Sequence, residues 1–357
     1  MLLVILGAGA SHDSNDLLPP EERFMPGSYR PPLTKDLFHP QAIWAELAGN
    51  FTLAGPIIQK IRRQQREDKD VSIETVLREI SDEALSYPSR HKNLAALTFY
   101  LQVVINLVHE KWLAESLNMT NQQMLVDELL AWQATSKQRI VFVTFNYDLL
   151  LEAAIESLTP QTFEFMDEYI DDDNIRVYKP HGSVNWARIY LPTGSPFRYS
   201  VIINDVRRQV SEGIDRLQST DKFAVRKSLL GPLNMDEEPV YLPALAVPVA
   251  RKAEWQFPND HLNALADDLG QVENVITIGW RGAEDNFIEF MFDHLRPGTT
   301  VHIVCESEEA SRKAWNNIRH VRRFAAYAPV GTGFSGLMND PVRLRGILNG
   351  QEPTTLT

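Results

Sequence analysis

Four short segments of the 357-residue chain carry residue types from which a reactive site could be built, and each directly follows an apolar run. Gly7-Ala8-Gly9-Ala10-Ser11 offers backbone N–H groups unscreened by large side chains, which lets a pyrophosphate approach a helix amino terminus. The third glycine of the full dinucleotide fingerprint is absent, and a glycine turn after a strand also arises for purely structural reasons. Thr144-Phe145-Asn146-Tyr147-Asp148 sets an amide and a carboxylate two residues apart. Asn146 and Asp148 could each hydrogen-bond a ligand, or could cap a helix beginning at Leu149. Lys179-Pro180-His181-Gly182-Ser183 places His181, which can exchange protons near neutral pH, beside Gly182, where a ligand could approach the backbone. A lone histidine is more often structural. Ile278-Gly279-Trp280-Arg281-Gly282 is a glycine-broken loop whose Gly279 and Trp280 could clasp the second half of a dinucleotide. Glu306, ending the next apolar run, stands where an acid grips ribose hydroxyls in doubly wound folds. Turns and strand ends need polar residues in any case.

The elements that must position these segments are legible from periodicity. Leu2 to Leu6, Arg139 to Thr144, Arg176 to Lys179, Asn274 to Ile278 and Thr300 to Cys305 read as buried strands, most leading into helical patterns. Strands alternating with helices predict a parallel, doubly wound α/β sheet. Leu94, Leu97, Leu101, Ile105, Val108 and Trp112 recur every three or four residues, as do Ile73, Val76, Leu77, Ile80 and Ala84, which predicts a helical insertion over 41–137. Residues 186–239 carry few periodic signals and many turn formers, and read as a second insertion or a lid. The core is then expected in 1–40, 138–185 and 240–328, with a weakly specified tail over 329–357, all within one domain spanning 1–357.

A formal net charge of -12 argues against nucleic-acid binding, which rewards clustered Lys and Arg. The single cysteine, Cys305, excludes an internal disulfide and a cysteine-based zinc site. No metal-ligand cluster stands out, so no metal is expected. The apolar start Met1 to Leu6 lacks a basic flank and is too short to cross a bilayer, so a cytoplasmic protein without membrane attachment is expected.

Taken in order, the GAGAS loop, the TFNYD segment, the PHGS segment and the late strand ending in Ile278-Gly279-Trp280 resemble the sirtuin family, specifically its bacterial sirtuin-like branch. The resemblance implies a Rossmann-like sheet and an NAD-binding enzyme. By position it assigns Gly7, Ala8, Gly9, Ala10 and Ser11 to the NAD phosphates, Asn146 to the nicotinamide ribose, Asp148 to the carboxamide and His181 to the catalytic base. It associates Arg30 with the loop that covers the cofactor. Deacetylating sirtuins carry a four-cysteine zinc module, which one cysteine cannot build, and Phe145 stands where they commonly have glutamine. Both departures point to the branch that hydrolyses NAD, which the resemblance associates with anti-phage defence, a homo-oligomer and a HerA-type ATPase partner.

The implied chemistry suits the residues. Nicotinamide leaves NAD neutral from a positively charged ring nitrogen, so no general acid or carboxylate pair is needed, unlike at an ordinary glycoside. What remains is to stabilise an oxocarbenium-like ribose and to place a water, tasks for Asn146 and His181. The leading expectation is an NAD glycohydrolase held inactive until a signal releases it. A sensor that binds NAD or ADP-ribose without turnover, or an NAD-dependent deacylase or ADP-ribosyltransferase, would use the same residues.

Overall fold

The computed structural model describes residues 1–15, 29–40, 43–68, 73–87, 89–193, 203–226, 239–246, 255–321, 323–350 and 355–356. In chain order these residues form β1 (Leu2–Leu6), α1 (Ala8–His12), α2 (Gly55–Glu67), α3 (Ile73–Ser86), α4 (Ser89–Glu115), α5 (Asn121–Ser136), β2 (Ile140–Thr144), α6 (Leu150–Leu158), β3 (Ile175–Tyr178) and β4 (Gly182–Pro192). There follow α7 (Ile203–Glu212), β5 (Leu217–Val225), β6 (Val240–Leu245), α8 (Asn259–Leu269), β7 (Asn274–Ile278), α9 (Asp285–His294), β8 (Thr299–Val304), α10 (Glu308–Ile318), β9 (Phe324–Val330), α11 (Gly333–Met338), α12 (Pro341–Leu348) and β10 (Thr355–Leu356). The chain divides into two compact units, Met1–Pro19 with Trp112–Pro180 and Asn259–Thr357, and Pro20–Lys111 with His181–Pro258.

The first unit is built on a sheet ordered β10-β9-β8-β7-β1-β2-β3, parallel throughout except for β10. Counted along the chain, its six parallel strands run 3-2-1-4-5-6, the doubly wound order whose direction reverses between β1 and β7. β1 reads LLVIL because a central parallel strand is covered on both faces and none of its residues meets water. Leu6 pairs with Thr144 on one side and Ile278 on the other, so β1, β2 and β7 end at one level. That common level lets the loops after them meet. Asp268 of α8 ties together the strand starts on the opposite side: it is buried, pairs with Arg139 and Arg176 at 3.2 Å each, and accepts from the Tyr178 hydroxyl at 2.7 Å.

The five strands expected from apolar runs are present as β1, β2, β3, β7 and β8. β9 was hidden because alanines hold two of its four buried positions and it contains Pro329, a residue that argues against a strand. The stretch read as a weak tail holds the end of β9, α11 and α12.

The second unit contains α2, α3, most of α4, α7 and an antiparallel sheet ordered β5-β4-β6. β4 runs through the boundary expected at 185/186, and no residue of β5 is buried, which removes the alternation that marks a strand. Residues 194–202 and 227–238 of the expected second insertion lie outside the described residues. No helix among the described residues is long and apolar enough to cross a membrane.

Two buried histidines of the first unit make its stability depend on pH. Burial lowers His261 and His302 to about 4, even though the Met166 carbonyl accepts from His261 Nε2 at 3.0 Å. In the unfolded chain each takes up its proton near pH 6.5, so the unfolded state binds more protons between about 6.5 and 4, and stability falls as pH falls through that window. The loss is expected to reach roughly 3 kcal/mol per histidine at pH 4. Urea unfolding at pH 7 and pH 4.5 checks this, and His302→Leu should shrink the difference between the two midpoints.

Candidate functional site

The crevice where strand order reverses is bounded by the loops after β1 and β7, and those loops touch backbone to backbone. Gly7 donates its N–H to the Ile278 carbonyl at 3.0 Å, Gly9 donates to the Gly279 carbonyl at 3.1 Å, and Gly279 donates to the Val304 carbonyl at 2.9 Å. A Cβ on Gly7 would lie 2.5 Å from the Gly279 oxygen, and one on Gly9 would lie 2.8 Å from the Gly279 Cα. Gly279 has φ +60°, and a Cβ there would lie 2.3 Å from the Ala10 nitrogen. These glycines are therefore required by the fold before any ligand is considered. The five-residue α1 opens on this joint, with Ala8 and Gly9 half-exposed and Ala10 and Ser11 buried.

The TFNYD segment continues from β2 into the same crevice, where the Phe145 N–H donates to the Leu6 carbonyl at 3.0 Å. Asn146 is only 8% exposed, and its Nδ2 donates to the Gly7 carbonyl at 2.9 Å and to Ser11 Oγ at 2.8 Å. A carbonyl can only accept, so this contact fixes which end of the amide is nitrogen. The other end, Oδ1, is buried with no hydrogen-bond partner among the described residues. Ser11 Oγ in turn donates to Asp148 Oδ2 at 2.6 Å, while Asp148 Oδ1 accepts from the Leu150 N–H at 3.1 Å at the start of α6. Asp148 thus holds the first N–H of α6 with one oxygen and Ser11 of the glycine loop with the other.

Beneath this trio lies a charged pair that sequence reading passed over. Lys179, at the end of β3, is fully buried and donates from Nζ to the Asp148 backbone carbonyl at 2.6 Å and to Glu152 Oε1 at 2.7 Å. Glu152 also accepts from the Tyr169 hydroxyl at 3.3 Å, and its Oε2 has no partner among the described residues. Burial pushes the Glu152 carboxyl above its usual range, and the Lys179 ammonium pulls the other way.

The remaining expected residues are placed as follows. Trp280 is buried, donates from its indole to Glu284 at 2.5 Å and stacks on Phe145 with centroids 5.8 Å apart, so it forms the floor of its loop. This stack also accounts for Phe at 145. Glu306 is exposed at the end of β8, one strand from the reversal. His181 and Arg30 belong to the second unit, where His181 is half-buried and its carbonyl accepts from the Ala246 N–H at 2.8 Å. Gly182, with φ +79°, admits the Ala244 carbonyl, which would lie 1.7 Å from a Cβ, so the contact with β6 already requires a glycine there.

A glycine pattern that went unread lies after β9: Gly331-Thr332-Gly333-Phe334-Ser335-Gly336 has the G-x-G-x-x-G spacing between a strand and a helix. The Phe334 and Ser335 N–H groups at its helix start donate to Asp13 Oδ2 at 2.7 and 3.0 Å, and Ser335 Oγ donates to Oδ1 at 2.6 Å. A carboxylate of the chain itself holds that place. Among the described residues no group of His, Cys, Asp and Glu converges in a way that could hold a metal. A cleft of about 590 Å³ opens near Met1, Arg139 and Asn174, at the strand starts, the end of a parallel sheet opposite to its ligand crevice.

Residues 140–224 match a family described as the SIR2-like domain, a stretch that includes Asn146, Asp148, Lys179 and His181. No curated protein matches the chain. Among solved structures it is similar to a Sir2 homolog in complex with NAD, at 13% identity over 97% of this chain and 90% of that one, with TM-score 0.36. A Sir2 variant with a deacetylated p53 peptide and 3'-O-acetyl ADP ribose is similar at 12% identity over 97% and 94%, with TM-score 0.40. Sir2Tm bound to a propionylated peptide is similar at 12% identity over 99% and 94%, with TM-score 0.38.

The glycine joint is open to a direct test. Gly279→Ala forces a left-handed conformation and a backbone clash, with an expected loss of about 3 kcal/mol or more. Urea unfolding of the variant beside Gly49→Ala, where a Cβ meets nothing within 4 Å, separates that loss from a generic glycine effect.

Proposed function

We propose that the chain is an NAD glycohydrolase that cleaves the nicotinamide–ribose bond to give nicotinamide and ADP-ribose. The observation that carries this reading is the buried, unsatisfied Asn146 Oδ1 at the reversal point of a doubly wound sheet, within the stretch that matches the SIR2-like domain. A buried carbonyl oxygen without a donor costs about 1–3 kcal/mol, and a ribose hydroxyl or an attacking water would satisfy it. NAD enters as substrate.

In this reading Ala8 and Gly9 give the phosphates a low wall at the start of α1, since both are half-exposed and neither carries more than a methyl group. Gly7 and Gly9 have already spent their own N–H groups on the neighbouring loop, so they shape the approach more than they bind. Asn146 receives the nicotinamide ribose, with its amide held rigidly by Gly7 and Ser11. Asp148 retains lone pairs beyond the two bonds it accepts and can take the carboxamide N–H. By its place in the PHGS segment, His181 is assigned the role of the base that takes a proton from water as the water attacks the anomeric carbon. The departing nicotinamide is neutral and needs no acid and no Lewis acid. Unrestrained cleavage of NAD would kill the cell that makes this protein. We therefore place its control in self-assembly or in a partner such as a HerA-type ATPase, within cytoplasmic anti-phage defence.

Asn146→Ala and His181→Ala should each lower nicotinamide release by about a hundredfold or more. NAD affinity should fall far less than turnover does, because both contributions arise chiefly in the transition state. Calorimetry with NAD and a nicotinamide-release assay on the same preparations check this. Wild-type binding without any release would replace the hydrolase with a sensor. Release that required an acylated protein would replace it with a deacylase. Chelator should leave the rate unchanged, and loss of activity restored by a divalent ion would contradict the mechanism.

A further inference from the structure

We infer that Lys179 and Glu152 form a positioning pair that sets the backbone of the Asn146–Asp148 segment for turnover, an inference that deepens the NAD-hydrolase reading and rests on it. Removing an ammonium and a carboxylate from water costs several kcal/mol each, and apolar side chains of similar volume are usually as stable or more so. Stability alone therefore does not account for a lysine with no exposure. What the charge supplies that a methionine could not is direction. Nζ donates to the Asp148 carbonyl at 2.6 Å and to Glu152 Oε1 at 2.7 Å, which pins the end of β3 to the start of α6 through the residue that holds Ser11. Ser11 accepts from Asn146, so a shift of the Asp148 backbone passes through two side-chain hydrogen bonds to the amide whose Oδ1 awaits a donor. Glu152 Oε2 is left unsatisfied, although a network selected for stability alone would satisfy both oxygens.

The pair can be removed without leaving a buried charge. Lys179→Met alone strands Glu152 and should lower the urea midpoint, whereas Lys179→Met with Glu152→Leu should recover it. Turnover should not recover. With the Asp148 carbonyl released, kcat for nicotinamide release should stay about a hundredfold down while KM for NAD stays within about threefold of wild type. A double variant that melts and turns over like wild type would overturn the inference, because the pair would then only neutralise itself. If the double variant fails to fold, Glu152→Gln decides, since it keeps an acceptor for Tyr169 but holds the ammonium less firmly. A kcat several-fold down with unchanged NAD affinity supports positioning, and wild-type kcat overturns it. Should the wild type release no nicotinamide, the hydrolase reading fails by itself. Hydrogen exchange over residues 146–150 then judges the pair: exchange about tenfold faster than wild type in the double variant, or in Glu152→Gln where that variant stands in, supports it if β1 and β7 are unchanged. Unchanged exchange overturns it.

Discussion

The contact on which the rest of the first unit depends is the one between Gly7, Gly9 and Gly279. It joins the loops on either side of the point where strand order reverses, at a separation that leaves no space for a Cβ on any of the three. Because the joint is made of backbone, it has few degrees of freedom. It fixes the Gly7 carbonyl, which fixes the Asn146 amide, which with Asp148 holds the Ser11 hydroxyl. From Asp148 the same dependence runs through its carbonyl to Lys179 and on to Glu152. Four strand ends, one short helix and the first turn of another are thereby placed by a single chain of hydrogen bonds.

That chain lies in a region with little water, where each bond is stronger and each unmade bond more costly than at the surface. The network is complete at Ser11 and at Asp148 and incomplete at Asn146 Oδ1. A ligand that supplied a donor there would gain from a group already desolvated and already aimed, so little ordering would remain to be done on binding. The aromatic floor serves the same end. Phe145 and Trp280 stack at 11° between planes, and Phe287 meets Trp280 edge-on, so the loop after β7 rests on a rigid surface.

What the sequence made legible follows from the physics of each element. Short apolar runs bounded by turn residues fit strands covered on both faces, so β1, β2, β7 and β8 were readable, and the residues just beyond them were readable as site candidates. Asn146, Asp148 and Ser11 do converge. β9 was not readable because alanines hold half of its buried positions and Pro329 interrupts it, and β5 because none of its residues is buried, which leaves no alternation to read. Lys179 closes a run read as a buried strand, but its ion pair with Glu152, 27 residues away, is a matter of packing that no local pattern encodes. Trp280 was legible as a loop residue but not as a floor, since its role depends on Phe145, far away in sequence.

The two glycine patterns show why spacing alone decides little. Gly331-Thr332-Gly333-Phe334-Ser335-Gly336 fits the dinucleotide spacing better than Gly7-Ala8-Gly9-Ala10-Ser11, and it too joins a parallel strand to a helix. Its glycines have other reasons: Gly331 would meet the Glu308 nitrogen at 2.3 Å, Gly333 sits at φ +71°, and Gly336 would meet the Thr332 Cβ at 2.9 Å. The amides that a phosphate would take are taken by Asp13, whose own backbone carbonyl accepts from Asn121 at 2.6 Å. The better-matching pattern therefore anchors the segment that follows α1, while the poorer match stands where the sheet order reverses. In a doubly wound fold the reversal decides where chemistry can be placed, and the glycines record only where two stretches of backbone must come close.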